Sequence, residues 1–166
     1  VIRVTVLTAF GLLLAGMAQA QHIHDPVAAD SHHEHEHEHE HGQAGAMVVN
    51  MQLDNGRKWA TDAPLRTGMA AIQLAFDADH AAIHAGTESD AQYEALAGRI
   101  EAEVRNIIAQ CHLSPAADAN LHFAIADFGR GVSLMRGEDP GRLRHDGAAL
   151  VHGALIAYTT YFDDSR

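Results

Sequence analysis

From residue 62 onward, large apolar residues recur every three or four positions, in four separate runs. The first run is Leu65, Met69, Ile72, Phe76, His80 and Ile83, with a histidine standing in the apolar row. The second is Tyr93, Leu96, Ile100, Val104, Ile107 and Cys111, and the third is Leu121, Ile125, Phe128, Val132 and Met135. The fourth is Leu143, Gly147, Leu150, Ala154, Tyr158 and Phe162. This spacing follows the turn of a helix, so each run lies along one helical face. Helix-boundary signals fall between the runs. Thr61-Asp62-Ala63-Pro64 is a cap followed by an early proline, and Gly86 is a stop. Thr87-x-x-Asp90 and Ser89-x-x-Gln92 both have the form of a capping box. Ser114-Pro115 opens the third segment, and Gly137 and Pro140 separate it from the fourth. Four amphipathic helices with short connections predict an all-α, up-down-up-down four-helix bundle over residues 62–166. Only 5% of the residues are Phe, Trp or Tyr, so alanines and aliphatics must fill its core.

The pattern ahead of residue 62 is different. Met47-Val48-Val49-Asn50-Met51-Gln52-Leu53 alternates like a strand, and Asp54-Asn55-Gly56 signals a turn. Residues 47–61 are expected to form an extended strap that lays Trp59 against the helices. Residues 21–46 are polar and poor in large apolar side chains, and burial there cannot offset ordering entropy, so a disordered tail is expected. Residues 1–20 read as a secretory signal peptide. Arg3 precedes an apolar run too short for a membrane span, and Ala18-Gln19-Ala20 is a small-x-small cleavage site. No cysteine follows that site, which argues against a lipid anchor, and a periplasmic location is expected.

Charge and missing motifs narrow the function. Of the 11 Lys and Arg residues, cleavage removes Arg3 and leaves 10 against 22 Asp and Glu, a formal net charge of −12. Such a surface repels nucleic acid and anionic lipid and attracts cations. The single cysteine, Cys111, leaves no internal disulfide to form. The chain has no C-x-x-C-H, P-loop, dinucleotide glycine fingerprint or G-x-S-x-G elbow. Asp77, Asp79, Glu101 and Glu103 read as solvated charges on helix faces, and nothing in the sequence argues for an enzyme.

Three groups of residues carry metal-binding chemistry. The run from His32 to His41 holds six histidines (His32, His33, His35, His37, His39, His41) interleaved with four glutamates. Imidazole nitrogen and carboxylate oxygen suit Zn²⁺, Cu²⁺ and Ni²⁺, and a pliant chain can wrap an ion without a preformed geometry. Antiparallel threading of the helices supplies the other two groups. The end where the first helix starts should collect Met69, Cys111, His112, Asp118, His122, Tyr158 and Tyr161, with Trp59 as a cover. There Cys111, Met69 and His122 together favour copper, Cu(I) above all, whereas Cys111 and His122 with Asp118 suit zinc. Ordinary packing is the competing reading, because methionine and a lone buried cysteine are also common core fillers. The opposite end should collect His80 and His84, spaced i, i+4 as two imidazoles on one ion require, with Met135 and His145 approaching from neighbouring helices. His152 reads as a surface or boundary residue.

Residues 62–163 resemble the small periplasmic four-helix-bundle cytochromes that hold a non-covalent b-type haem. Asp62-Ala63-Pro64-Leu65-Arg66-Thr67-Gly68-Met69 is similar to their first helix, where an early methionine is an axial ligand. Ala157-Tyr158-Thr159-Thr160-Tyr161 is similar to their last helix, where a histidine supplies the other ligand. Here Thr159 stands in that neighbourhood, so a second ligand would have to come from His122 on another helix. The chain also resembles His-rich exported bundle proteins of proteobacteria, a likeness that implies metal handling. The expectation is a periplasmic protein that binds, buffers or delivers copper or zinc, with a metal-donor or metal-acceptor protein as partner. A haem-binding electron carrier and a purely structural or adaptor bundle are the rival readings.

Overall fold

The computed structural model describes residues 46–165. The expected signal peptide and, apart from Ala46, the His/Glu-rich tail lie outside the described residues. Four helices dominate: α1 (Ala63–Ala85), α2 (Asp90–Gln110), α3 (Pro115–Met135) and α4 (Arg144–Tyr161). A short β1 (Trp59–Ala60) precedes the first helix and β2 (Phe162–Asp163) follows the last.

Each of the first three helices begins where a side-chain oxygen satisfies an amide that has no partner within the helix. Asp62 Oδ1 accepts the Leu65 N–H at 2.9 Å. Ser89 and Gln92 form a full capping box, in which Gln92 Oε1 accepts the Ser89 N–H at 3.1 Å. Ser114 Oγ accepts the Ala117 N–H. Each such cap is worth about 1 kcal/mol. Gly86, at φ 66°, closes α1 in the left-handed region that glycine enters without penalty. The fourth helix lacks a polar cap residue, and the Asp146 carboxylate instead takes the Leu143 N–H and pairs with Arg142.

Consecutive helices pack side by side, and α4 returns to α1 along a thinner seam. The closest pairing is α3 with α4, and glycines make it possible. A Cβ on Gly147 would stand 2.5 Å from the Gly131 carbonyl oxygen and 2.7 Å from the Met135 nitrogen. The core between the helices holds Leu65, Ile72, Phe76, Leu96, Ile100, Ile107, Leu121, Phe128, Met135 and Val151, with alanines in the tighter places.

The strap also belongs to the fold. Its start is a 3-10 turn, Met47–Asn50, where an extended segment was expected. The reason is Asp127, the one charged side chain buried among the described residues, with 0% exposure. Its two oxygens accept the backbone N–H groups of Met47 and Val48, each at 2.9 Å. A buried carboxylate is costly unless it is hydrogen-bonded, and curling the strap aims two adjacent amides at it. The chain then runs down α3, where Gln52 donates its N–H to Asn120 Oδ1 at 2.8 Å. It turns at Asn55 and Gly56, both at positive φ, as the turn signal predicted. Trp59 packs on the core and donates its indole N–H to the Gln52 carbonyl. Parallel pairing of Trp59 with Phe162 and Ala60 with Asp163 joins strap to C-terminal segment.

Three apolar-row assignments are corrected. His80 is exposed, because 3.6 residues beyond Phe76 falls between Asp79 and His80 and neither points fully inward. Asp79 turns to Arg99 of α2, and His80 turns to α4. Leu143 precedes α4 and is 70% exposed. Phe162 is buried from β2, after the helix has ended.

Candidate metal-binding site

Antiparallel threading does bring the start of α1, the end of α2, the start of α3 and the end of α4 to one end of the bundle. Asp62 shows this directly. While Oδ1 caps α1, Oδ2 accepts the backbone N–H of His112 in the link between α2 and α3. Cys111 is half-buried beside them, immediately after α2. Burial, and then the charges of Asp62 and Asp118, push its thiol pKa up. That is the opposite of what activates a thiolate ligand or nucleophile.

The structure does not gather the expected ligands at this end. Met69 is 2% exposed and packed in the core. His122 is exposed, and its Nδ1 lies 2.8 Å from the carbonyl oxygen of Asp118, one turn back on its own helix, with the Asp118 carboxylate at 3.5 Å. Histidine and aspartate at i, i+4 therefore satisfy each other rather than reach for the thiol. Tyr158, also at this end, is buried and donates its hydroxyl to Asp164. Burial, and then that hydrogen bond, raise its pKa. In the haem-like reading Met69 and His122 would face one ligand, but one lies in the core and the other in solvent. Thr159 is exposed.

The other end holds a different grouping. His80 and His84 come together as the i, i+4 spacing predicts, with ring centroids 5.7 Å apart and planes near perpendicular at 82°. The side chain that meets His80 from another helix is neither Met135 nor His145. Met135 is fully buried, and His145 lies exposed in the first turn of α4. It is His152 of α4, whose ring centroid stands 5.7 Å from that of His80. His152 also stacks on Phe76 at 5.3 Å and 22°, and His80 leans on the same phenyl ring at 5.8 Å. Three exposed imidazoles thus line the α1–α4 seam, two of them resting on one buried aromatic ring. Among the described residues, no group of three His, Cys, Asp or Glu side chains is placed to hold a metal ion. The six tail histidines lie outside the described residues.

Two residues escaped the sequence reading. Asp127 sits among Ala124, Phe128 and Gly131 on the inner face of α3, and an acid at that spacing was the available signal. His152 is adjacent to the inward Val151 but gives no sign of its neighbours. A shallow surface depression of about 320 Å³, lined by Gly129, Arg130, Ser133, Leu134, Asp139 and Arg142, contains none of the proposed metal ligands. No helix among the described residues is long and apolar enough to cross a membrane.

Fold and side chains define a strapped four-helix bundle with an imidazole-bearing face. Comparison of the chain with protein-family models, with curated proteins and with solved structures finds no match.

Proposed function

We propose that this protein binds transition-metal ions in the periplasm and buffers or delivers them, with zinc or copper as the cargo. The observation that carries this reading is the run His32–His41, where six imidazoles alternate with carboxylates in ten residues. Local negative charge raises the cation concentration around the imidazoles, and the imidazoles supply the ligands. The acid-rich balance of the remaining chain favours a cationic cargo over nucleic acid. Buffering needs many sites of modest affinity that exchange readily, and a histidine-rich segment supplies that chemistry. A donor or acceptor protein would exchange ions with it.

The test is elemental analysis of the mature protein isolated from its native periplasm, beside a full-length variant with the tail histidines changed to asparagine. Several equivalents of zinc or copper in the native protein, falling to one or fewer in the variant, are expected. Metal no higher than in a histidine-poor control protein from the same extract overturns the reading.

A further inference from the structure

We infer that Glu88 is a proton-operated latch on the turn between α1 and α2. Protonated, its side chain lies inward against Tyr93 and holds the turn shut. Ionised, it swings out to water and lets the turn open. The latch stands on the bundle alone and does not depend on the metal-handling reading.

The placement of the carboxyl group supports this first. A long charged side chain ordinarily buries its stem and keeps its head in water. Glu88 does the reverse. The residue as a whole is half-buried, yet both of its carboxyl oxygens are shut off from solvent. Neither has a hydrogen-bond partner, and no other buried side-chain oxygen or nitrogen among the described residues is left so. An ionised carboxylate stranded in this way is costly, whereas the neutral acid has no charge to desolvate.

The position in the chain supports it second. Ser89 caps α2, so Glu88 is the residue before the cap and Tyr93 is the fourth residue of the helix. An apolar pair at these two positions commonly staples the incoming chain onto the first helical turn. Tyr93 supplies one half of such a staple and is 6% exposed. The other half is an acid, which serves as an apolar group only when neutral. The two lie close, because burial and then the charge of Glu88 raise the Tyr93 pKa.

Neighbouring charges do not rescue the ionised form. Asp79 of α1 adds a second negative charge, and Arg99 of α2 is already paired with Asp79. The arginines that α3 and α4 bring to α2 are engaged elsewhere, Arg136 by Glu101 and Arg144 by Asp90 and Glu94. His84, in the last turn of α1, is exposed. Burial and then Asp79 raise the Glu88 pKa, against the opposing pull of Arg99. A folded-state pKa above the unfolded value means that the latch contributes fully below about pH 4.5. Its contribution is lost as pH rises through the folded value.

The experiment follows the full-length chain by NMR from about pH 4 to about pH 8. It reads the Glu88 carboxyl shift and the hydrogen-exchange protection of the amides at residues 86–93. The carboxyl should titrate above 4.5, and protection should fall through the same pH. By linkage the two effects match in size, each unit of upward shift appearing as about a tenfold loss of protection. Glu88→Gln keeps the shape without the charge, so its protection should stay at the low-pH level throughout. Glu88→Leu completes the apolar staple and should do the same. Titration of Glu88 at or below 4.5 overturns the latch, and that measurement needs no variant. So does a Glu88→Gln chain whose protection still falls as the parent's does.

Discussion

One carboxylate, Asp62, caps α1 through Leu65 and at the same time holds the backbone N–H of His112, 50 residues further along the chain. It is a local cap and a tertiary tie at once. Asp62→Ala loses both and should lower stability by about 2–3 kcal/mol, more than a cap alone supplies. Asp62→Ser keeps a cap acceptor but loses the second oxygen, and should recover about 1 kcal/mol of that loss. Urea denaturation of the two variants measures the difference. Equal losses would mean that the His112 contact contributes nothing.

Glycine to alanine should have opposite signs at two positions six residues apart on α4. At Gly147 the added methyl meets the α3 backbone, which cannot move aside without separating the helices. Gly147→Ala should destabilise by about 1–3 kcal/mol. At Gly153 no atom lies within 4 Å of the added carbon. Gly153→Ala should therefore stabilise by about 0.5–1 kcal/mol through helix propensity. Thermal melts of both variants decide the matter.

Asp127→Asn replaces one of two acceptors by a donor that faces a backbone N–H. A loss of about 1–3 kcal/mol is expected, together with release of the strap. Limited proteolysis within residues 47–57 should become fast. Trp59, the sole tryptophan, should show red-shifted emission. Resistance to protease equal to that of the parent would show that the strap is held by its other contacts, the Gln52–Asn120 hydrogen bond and the β1–β2 pairing among them.

Acid should weaken the bundle partly through Glu101. Its carboxyl is held down at about 2 by hydrogen bonds from Arg136 and then Arg105. A folded-state pKa below the unfolded value means the contribution is complete above about pH 4.5 and is lost as pH falls towards 2. The urea midpoint of Glu101→Gln, followed from pH 6 to pH 2, should fall less steeply than that of the parent. Parallel curves would assign acid sensitivity to other groups.

Periodicity made the four helices legible, because a face buried along a whole helix repeats its signal at every turn. Caps at Asp62, Ser89 and Ser114 were legible for a similar reason, since they act within three residues of themselves. The candidate site was legible only in part. His80 and His84 are neighbours by helical spacing, and the structure pairs them. His152 was not legible as a neighbour of His80. Counting from the strand pair at the helix ends, it lies nine residues before Tyr161 and so level with Ile72, nine residues after Ala63. The rings it meets are one and two turns higher, at Phe76 and His80.

By itself the chain determined what is local: helical faces, their caps, the turn at Asn55-Gly56 and the imidazole-rich composition of residues 32–41. Tertiary structure decided what depends on axial stagger and on partners far away in sequence. It turned His122 back onto its own helix, left Met69 in the core and set His152 beside His80. It also gave the inward Asp127 a partner that lies 80 residues earlier. The reason is that a residue's neighbours along a helix follow from a fixed rise and rotation. Its neighbours across a helix pair depend on how closely small residues such as Gly131 and Gly147 let the backbones approach.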